Sequence, residues 1–120
     1  METVAILGAS NRPERFAYRA QQQLLEKGYQ PVPINPGYGE IEGVTCYPAL
    51  QHCPQDISVI TVYLRPDRLG PLVDEMIAAN PRKVIFNPGS ENRQVMVQLQ
   101  QAGVEVEAAC TLIMLDSGRL

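Results

Sequence analysis

"VAILGASNRPERFAYRA", residues 4–20, changes character halfway along. Thr3 to Leu7 is a short apolar run with Val4 and Ile6, the pattern of a strand covered on both faces. From about Glu14 to Lys27 the apolar residues Ala17, Ala20, Leu24 and Leu25 fall at helical spacing, and Gly28 follows as a C-terminal stop. Between strand and helix sit Gly8, Ala9 and Ser10, with Arg12 and Arg15 close behind. A helix N-terminus carries unpaired N–H groups and a positive dipole end, so this turn can hold a phosphate. On that reading Gly8 lets the backbone approach, Ala9 stays small, Ser10 donates its hydroxyl and the arginines add charge-assisted hydrogen bonds. The plainer alternative is a tight turn with solvated arginines, and the pattern alone leaves both open.

The same alternation continues outward. Gln30 to Ile34 reads as a second strand, ended by Asn35, Pro36 and Gly37. Tyr38 to Pro54 is turn-rich, with a short strand expected near Val44 to Tyr47 and one helical turn near Ala49 to His52. Ser58 to Leu64 is the most β-branched run and should be a central strand. Leu69, Leu72, Val73, Met76 and Ile77 form a helical stripe, predicting a helix from about Asp67 to Ala79. Lys83 to Phe86 is another strand, Glu91 to Ala102 a helix, and Val104 to Ala108 the last strand. Strands alternating with helices imply right-handed crossovers and a parallel sheet. The expected fold is α/β: one three-layer, Rossmann-like, doubly wound domain over residues 1–120, mainly parallel and five-stranded, with an order such as 3-2-1-4-5. Ligands in such sheets bind beyond the carboxyl ends of the strands, near the point where the order reverses. Those ends carry Gly8 to Arg12, Asn35 to Gly37, Leu64 to Pro66 and Asn87 to Ser90.

Bulk composition narrows the function classes. The chain has 120 residues, 45% hydrophobic and 19% charged, which fits one domain with one core. A net charge of −3 argues against a nucleic-acid partner, which needs a broad cationic surface. Every apolar run is interrupted before membrane-helix length, and "METVAILGAS" lacks a basic n-region, so neither a membrane span nor a signal peptide is expected. Three cysteines, Cys46, Cys53 and Cys110, point to free thiols and a cytoplasmic setting. With His52 the only histidine, no zinc site is expected. The dinucleotide fingerprint G-x-G-x-x-G is absent, and Asn35 stands where an NAD protein usually places a carboxylate for the ribose.

These residues resemble the small single-domain CoA-binding proteins, whose fold is that of the CoA-binding N-terminal domain of the succinyl-CoA synthetase α subunit. "VAILGASNRPERFAYRA" is similar to the family's first-turn motif, and "KGYQPVPINPGYGEIEGVTCYPAL" to its Gly-Tyr, Pro-Val-Asn-Pro, Ile-x-Gly and Tyr-Pro-x-Leu series. "ISVITVYLRPD", "VIFNPGSEN" and "AGVEVEAACTLIML" follow in the family's order. The sequence departs from the pattern at Ile85 and Asn87, where a tryptophan and a glutamine are common, and at Ala109, where a basic residue is. The resemblance implies that coenzyme A, free or acylated, lies across the carboxyl ends of the strands. Gly8, Ala9, Ser10, Asn11 and Arg12 would face its phosphates, with Arg15 beside them. Asn35 and Pro36 would line the nucleotide side, and Leu64, Arg65, Pro66, Asn87, Pro88 and Gly89 would close the site.

No reaction is expected from these residues. The synthetase's phosphate-carrying histidine belongs to a following domain, and His52, in "LQHCPQD", does not correspond to it. Asp67, Asp74 and Glu75 fit a helix's first turn and exposed face better than a paired acid and base. Cys110 is expected to be a small buried residue at a strand end, and Tyr18 and Tyr63 core or pocket-wall aromatics. The reading is a CoA-binding module with no protein partner named by the residues. The alternatives are an NAD(P)-linked oxidoreductase, or a CoA-transferring or synthetase subunit that needs a partner chain.

Overall fold

The computed structural model describes residues 2–120. β1 (Thr3–Leu7) is buried at every position and sits inside the sheet. Its side chains alternate between two cores. Val4 and Ile6 join one with Ala17, Leu24, Met114 and Leu115, while Ala5 and Leu7 join the other with Leu69, Met76, Val95 and Leu99. That two-residue period on a doubly buried strand defines three layers. α1 (Phe16–Glu26) and α4 (Thr111–Asp116) cover the first face; α2 (Val73–Ala78) and α3 (Arg93–Gln101) cover the second.

The main sheet has five strands in the order β2-β1-β5-β6-β7, and every neighbouring pair is parallel. The outer members are β2 (Gln30–Ile34) and β7 (Glu105–Ala108), with β5 (Val59–Val62) central and β6 (Lys83–Phe86) beside it. The third expected strand divides differently. Glu40–Ile41 (β3) and Val44–Thr45 (β4) form a separate antiparallel hairpin through Glu42 and Gly43, both at positive φ as a tight hairpin turn demands. Tyr47 alone reaches the sheet, by a single parallel bridge to Ile34. The expected order therefore holds with residue 47 in place of a full third strand and β7 added at the other edge. β2 tolerates Pro31 and Pro33 because it is an edge; the outward Pro33 carbonyl accepts from Tyr47 N–H at 3.0 Å.

Helix boundaries shift where local chemistry overrides periodicity. α1 begins at Phe16 and presents Ala17, Ala20, Gln21 and Leu24 to the core, while Leu25 is exposed. Gln21 takes the place expected for Leu25 and donates to the Ile41 carbonyl at 2.9 Å, fastening the hairpin to α1. Gly28, at φ +87°, ends the helix as expected. The helix expected over 67–79 opens as two 3₁₀ turns, Pro66–Arg68 and Gly70–Leu72, because Pro71 offers no N–H to an α-helical ladder. α4 adds to the expected elements: at six residues it is too short to show a full amphipathic period in the sequence, although Thr111, Met114 and Leu115 are buried at i, i+3 and i+4. No helix among the described residues is long and apolar enough to cross a membrane.

Candidate functional site

The order of the sheet reverses between β1 and β5. Beyond the carboxyl ends of the strands at that point lies an open cleft of about 500 Å³. The turn after β1 contributes Gly8, Ala9, Ser10 and Arg12, and the start of α1 contributes Arg15, Phe16 and Ala17. Tyr63, Leu64, Arg65 and Arg68 come from the loop after β5; Pro88, Gly89 and Ser90 come from the turn after β6. Asn35 and Tyr38 complete the lining from the turn after β2.

Gly8 is fixed by its neighbours. It sits at φ +91°, and a Cβ there would lie 3.0–3.1 Å from Leu64 and the Tyr63 carbonyl carbon. The missing side chain therefore admits the loop after β5 as well as permitting the turn. The N–H groups of Gly8 and Ala9 both donate to the Ile34 carbonyl, at 3.1 and 3.2 Å. Ala9 returns its own carbonyl to Asn35 Nδ2 at 2.8 Å, and Asn35 Oδ1 accepts from Gly37 N–H at 2.7 Å. Asn35 thus clamps the first turn to the end of β2, with both ends of its amide occupied.

The free donors lie further along. The N–H groups of Ser10 and Asn11, and of Phe16, Ala17 and Tyr18 in the first turn of α1, reach no acceptor among the described residues. Arg15 occupies the N-cap in extended conformation and offers no side-chain acceptor to them. Ser10 Oγ accepts from Arg12 N–H at 3.1 Å, which leaves its proton to donate elsewhere. The guanidinium groups of Arg12, Arg15 and Arg68 make no ion pair among the described residues. Arg65 is different: Asp67 accepts from it at 2.9 and 3.3 Å. That hydrogen bond holds the exposed Asp67 carboxyl below its ordinary pKa range.

The structure brings together Gly8, Ala9, Ser10, Arg12, Arg15, Asn35, Leu64, Arg65, Pro88 and Gly89 of the residues expected at the site. Pro36 lines an adjoining smaller cavity. Asn11 is exposed beside the cleft, and Pro66 directs its carbonyl to Asn92 Nδ2 at 2.8 Å. Asn87 is buried, with its amide engaged in the interior: it donates to Thr61 Oγ1 and the Val62 carbonyl, at 2.7 and 2.9 Å, and accepts from Thr111 N–H at 2.8 Å. Phe16, Ala17, Tyr38 and Arg68 line the cleft from outside the stretches expected to form it, while Ser90 lies within one of them; only Arg68, three residues after Arg65 in "RPDR", carries a visible cue.

The lining is cationic and poor in bases. Burial pushes the Tyr63 phenol up to about 12, against smaller opposing effects of the Thr111 and Thr61 hydroxyls. His52 is exposed on the 3₁₀ turn Leu50–His52 and lines no part of the cleft. Cys110 is partly exposed as the N-cap of α4, contrary to the buried placement expected for it. Among the described residues no group of three or more His, Cys, Asp or Glu side chains could hold a metal ion.

Known proteins agree with this architecture. The profile of the family described as "CoA binding domain" matches residues 2–116. A hypothetical protein from Pyrococcus horikoshii OT3 superposes with a TM-score of 0.91 at 30% identity, over 95% of this chain and 81% of that one. The uncharacterized protein YneT of Bacillus subtilis (strain 168) is 24% identical over 100 residues, covering 83% of this chain and 74% of YneT. An ADP-forming acetate–CoA ligase of Methanocaldococcus jannaschii is 33% identical over 61 residues, or 51% of this chain. That stretch is only 9% of the ligase.

Proposed function

This chain belongs to the CoA-binding domain family, and from that premise we propose that it binds coenzyme A or an acyl-CoA in the cleft and performs no chemistry of its own. The observation that carries the reading is the uncapped start of α1, where the free N–H groups of Phe16 and Ala17 line the cleft with Arg12 and Arg15. Unpaired donors, a positive dipole end and two unpaired guanidinium groups suit a pyrophosphate. Ser10 and Asn11 N–H extend the row, so the phosphates lie along Ser10–Ala17 more than over Gly8 and Ala9. Support for CoA over NAD comes from Asn35, whose amide is already engaged at the position where a ribose-binding carboxylate would stand.

The groups at hand support a site without turnover. Thioester hydrolysis or transfer needs a base near neutral pH or an activated nucleophile. The cleft supplies arginines and a phenol that stays protonated to about 12. Thermal denaturation with CoA, acetyl-CoA, NAD and NADP tests the binding, since a ligand of the folded state raises the midpoint. The expected result is a rise with CoA and acetyl-CoA but not with NAD, and no sustained thiol release from acetyl-CoA. A rise with NAD alone, or steady thiol release abolished by Cys110→Ala or His52→Ala, would contradict the proposal.

A further inference from the structure

A smaller cavity of about 310 Å³ adjoins the cleft and shares Gly8, Asn35, Leu64 and Arg68 with it. Its remaining walls are mostly apolar, with Leu7, Ile34, Pro36, Pro48 and Leu72. It lies against the turn after β2, where doubly wound sheets receive a nucleoside, and its lining suits a flat base. Glu75 also faces it, accepting weakly from Leu50 N–H at 3.4 Å, an acceptor suited to an exocyclic amine and unsuited to an anion.

CoA differs from most dinucleotides by a third phosphate, carried on the ribose next to that base. Residues 35–39, the turn beside the cavity, contain no cation. Arg12, Arg15 and Arg65 line the main cleft but not the smaller cavity, and Arg65 is held by Asp67. Arg68 lines both, and its side chain makes no ion pair or hydrogen bond among the described residues. Its backbone is anchored: its N–H donates to the Arg65 carbonyl at 3.0 Å, Leu69 is fully buried, and Asn92 holds the Pro66 carbonyl. Resting on the CoA reading above, we infer that Arg68 receives the ribose phosphate and sets a preference for CoA over its 3′-dephospho form.

Calorimetric titration of the wild type, Arg68→Met and Arg68→Lys with CoA and with 3′-dephospho-CoA tests this. The wild type should prefer CoA by about ten- to a hundredfold, the range for a charge-assisted hydrogen bond. Arg68→Met should erase the preference by weakening CoA alone, and Arg68→Lys should retain part of it. Equal binding of both ligands by the wild type, or an unchanged preference in Arg68→Met, would overturn the role of Arg68 while leaving CoA binding intact. A wild type that binds neither would remove the CoA reading and this inference together.

Discussion

Two turns at the carboxyl edge of the sheet use the same backbone device and then diverge. Gly8 after β1 has φ +91°, and Gly89 after β6 has φ +92°. After β6 the polar groups are largely consumed within the protein. Gly89 N–H donates to Glu91 Oε1 at 2.9 Å, Ser90 Oγ donates to the Asn87 carbonyl at 2.7 Å, and Asn92 caps α3 by accepting from Val95 N–H at 3.1 Å. After β1, α1 starts without a cap and six N–H groups between Ser10 and Tyr18 (Ser10, Asn11, Glu14, Phe16, Ala17 and Tyr18) reach no protein acceptor among the described residues. A helix start with such donors at an open cleft is less stable than it need be, and that surplus is what an anion can use. The contrast separates a turn whose polar groups are spent on the fold from one whose donors stay free at the cleft.

The largest expected effect lies on the closed side. Asn87→Ala leaves the buried Thr111 N–H without its acceptor and takes one partner each from the Thr61 hydroxyl, which keeps Thr111 Oγ1, and the Val62 carbonyl, which keeps the residue 87 N–H. Urea unfolding should show a loss of about 3 kcal/mol, from the cost of stranding buried polar groups. A loss below about 1 kcal/mol would mean that the network is not what holds this turn.

Next comes Tyr63, between the two turns. Its phenol is raised to about 12 in the folded protein, against roughly 10 for an unfolded tyrosine. Below about pH 10 both states keep the proton and the contribution is fully present. Between about 10 and 12 only the unfolded state releases it, so stability falls, by up to about 2–3 kcal/mol. Tyr63→Phe should remove that part of the alkaline slope in urea midpoints measured from pH 8 to 12. An identical slope in both proteins would contradict the burial of the phenol.

The smallest effects come from exchanging the caps. Asn92→Ala removes the α3 cap and should cost about 1 kcal/mol of stability in urea unfolding. Arg15→Asn gives α1 the cap that α3 already has, and should gain up to about 1 kcal/mol while weakening CoA binding. If Arg15→Asn instead bound CoA as tightly as the wild type, the free donors of α1 would not be where the phosphates lie.

Much of this was legible in the residues. The unbroken apolar run of β1, the β-branched run of β5 and the glycine stop at Gly28 placed the strands, the first helix and the switch point, because burial on both faces and backbone sterics act locally. Hydrogen-bond accounting was not legible. Nothing in "GAS" tells that Ile34, from another strand, occupies two of its N–H groups, or that Asn87 turns inward to Thr61 and Thr111. Those partners lie 24–26 residues away in sequence and are fixed only by the register of the sheet. Arg68 is a case of the same kind: its reach into both cavities depends on the 3₁₀ turn that Pro66 begins.

The most direct measurement of the central claim is calorimetric titration of CoA into the wild type, Arg12→Ala, Arg15→Ala and the double variant, at low and high salt. The wild type should bind, with a loss of about 1.5–3 kcal/mol for each arginine that touches a phosphate. Affinity should fall with salt, less steeply in the double variant, and unfolding free energies should stay within about 0.5 kcal/mol of wild type. A double variant that binds CoA with wild-type affinity and wild-type salt dependence would contradict that claim.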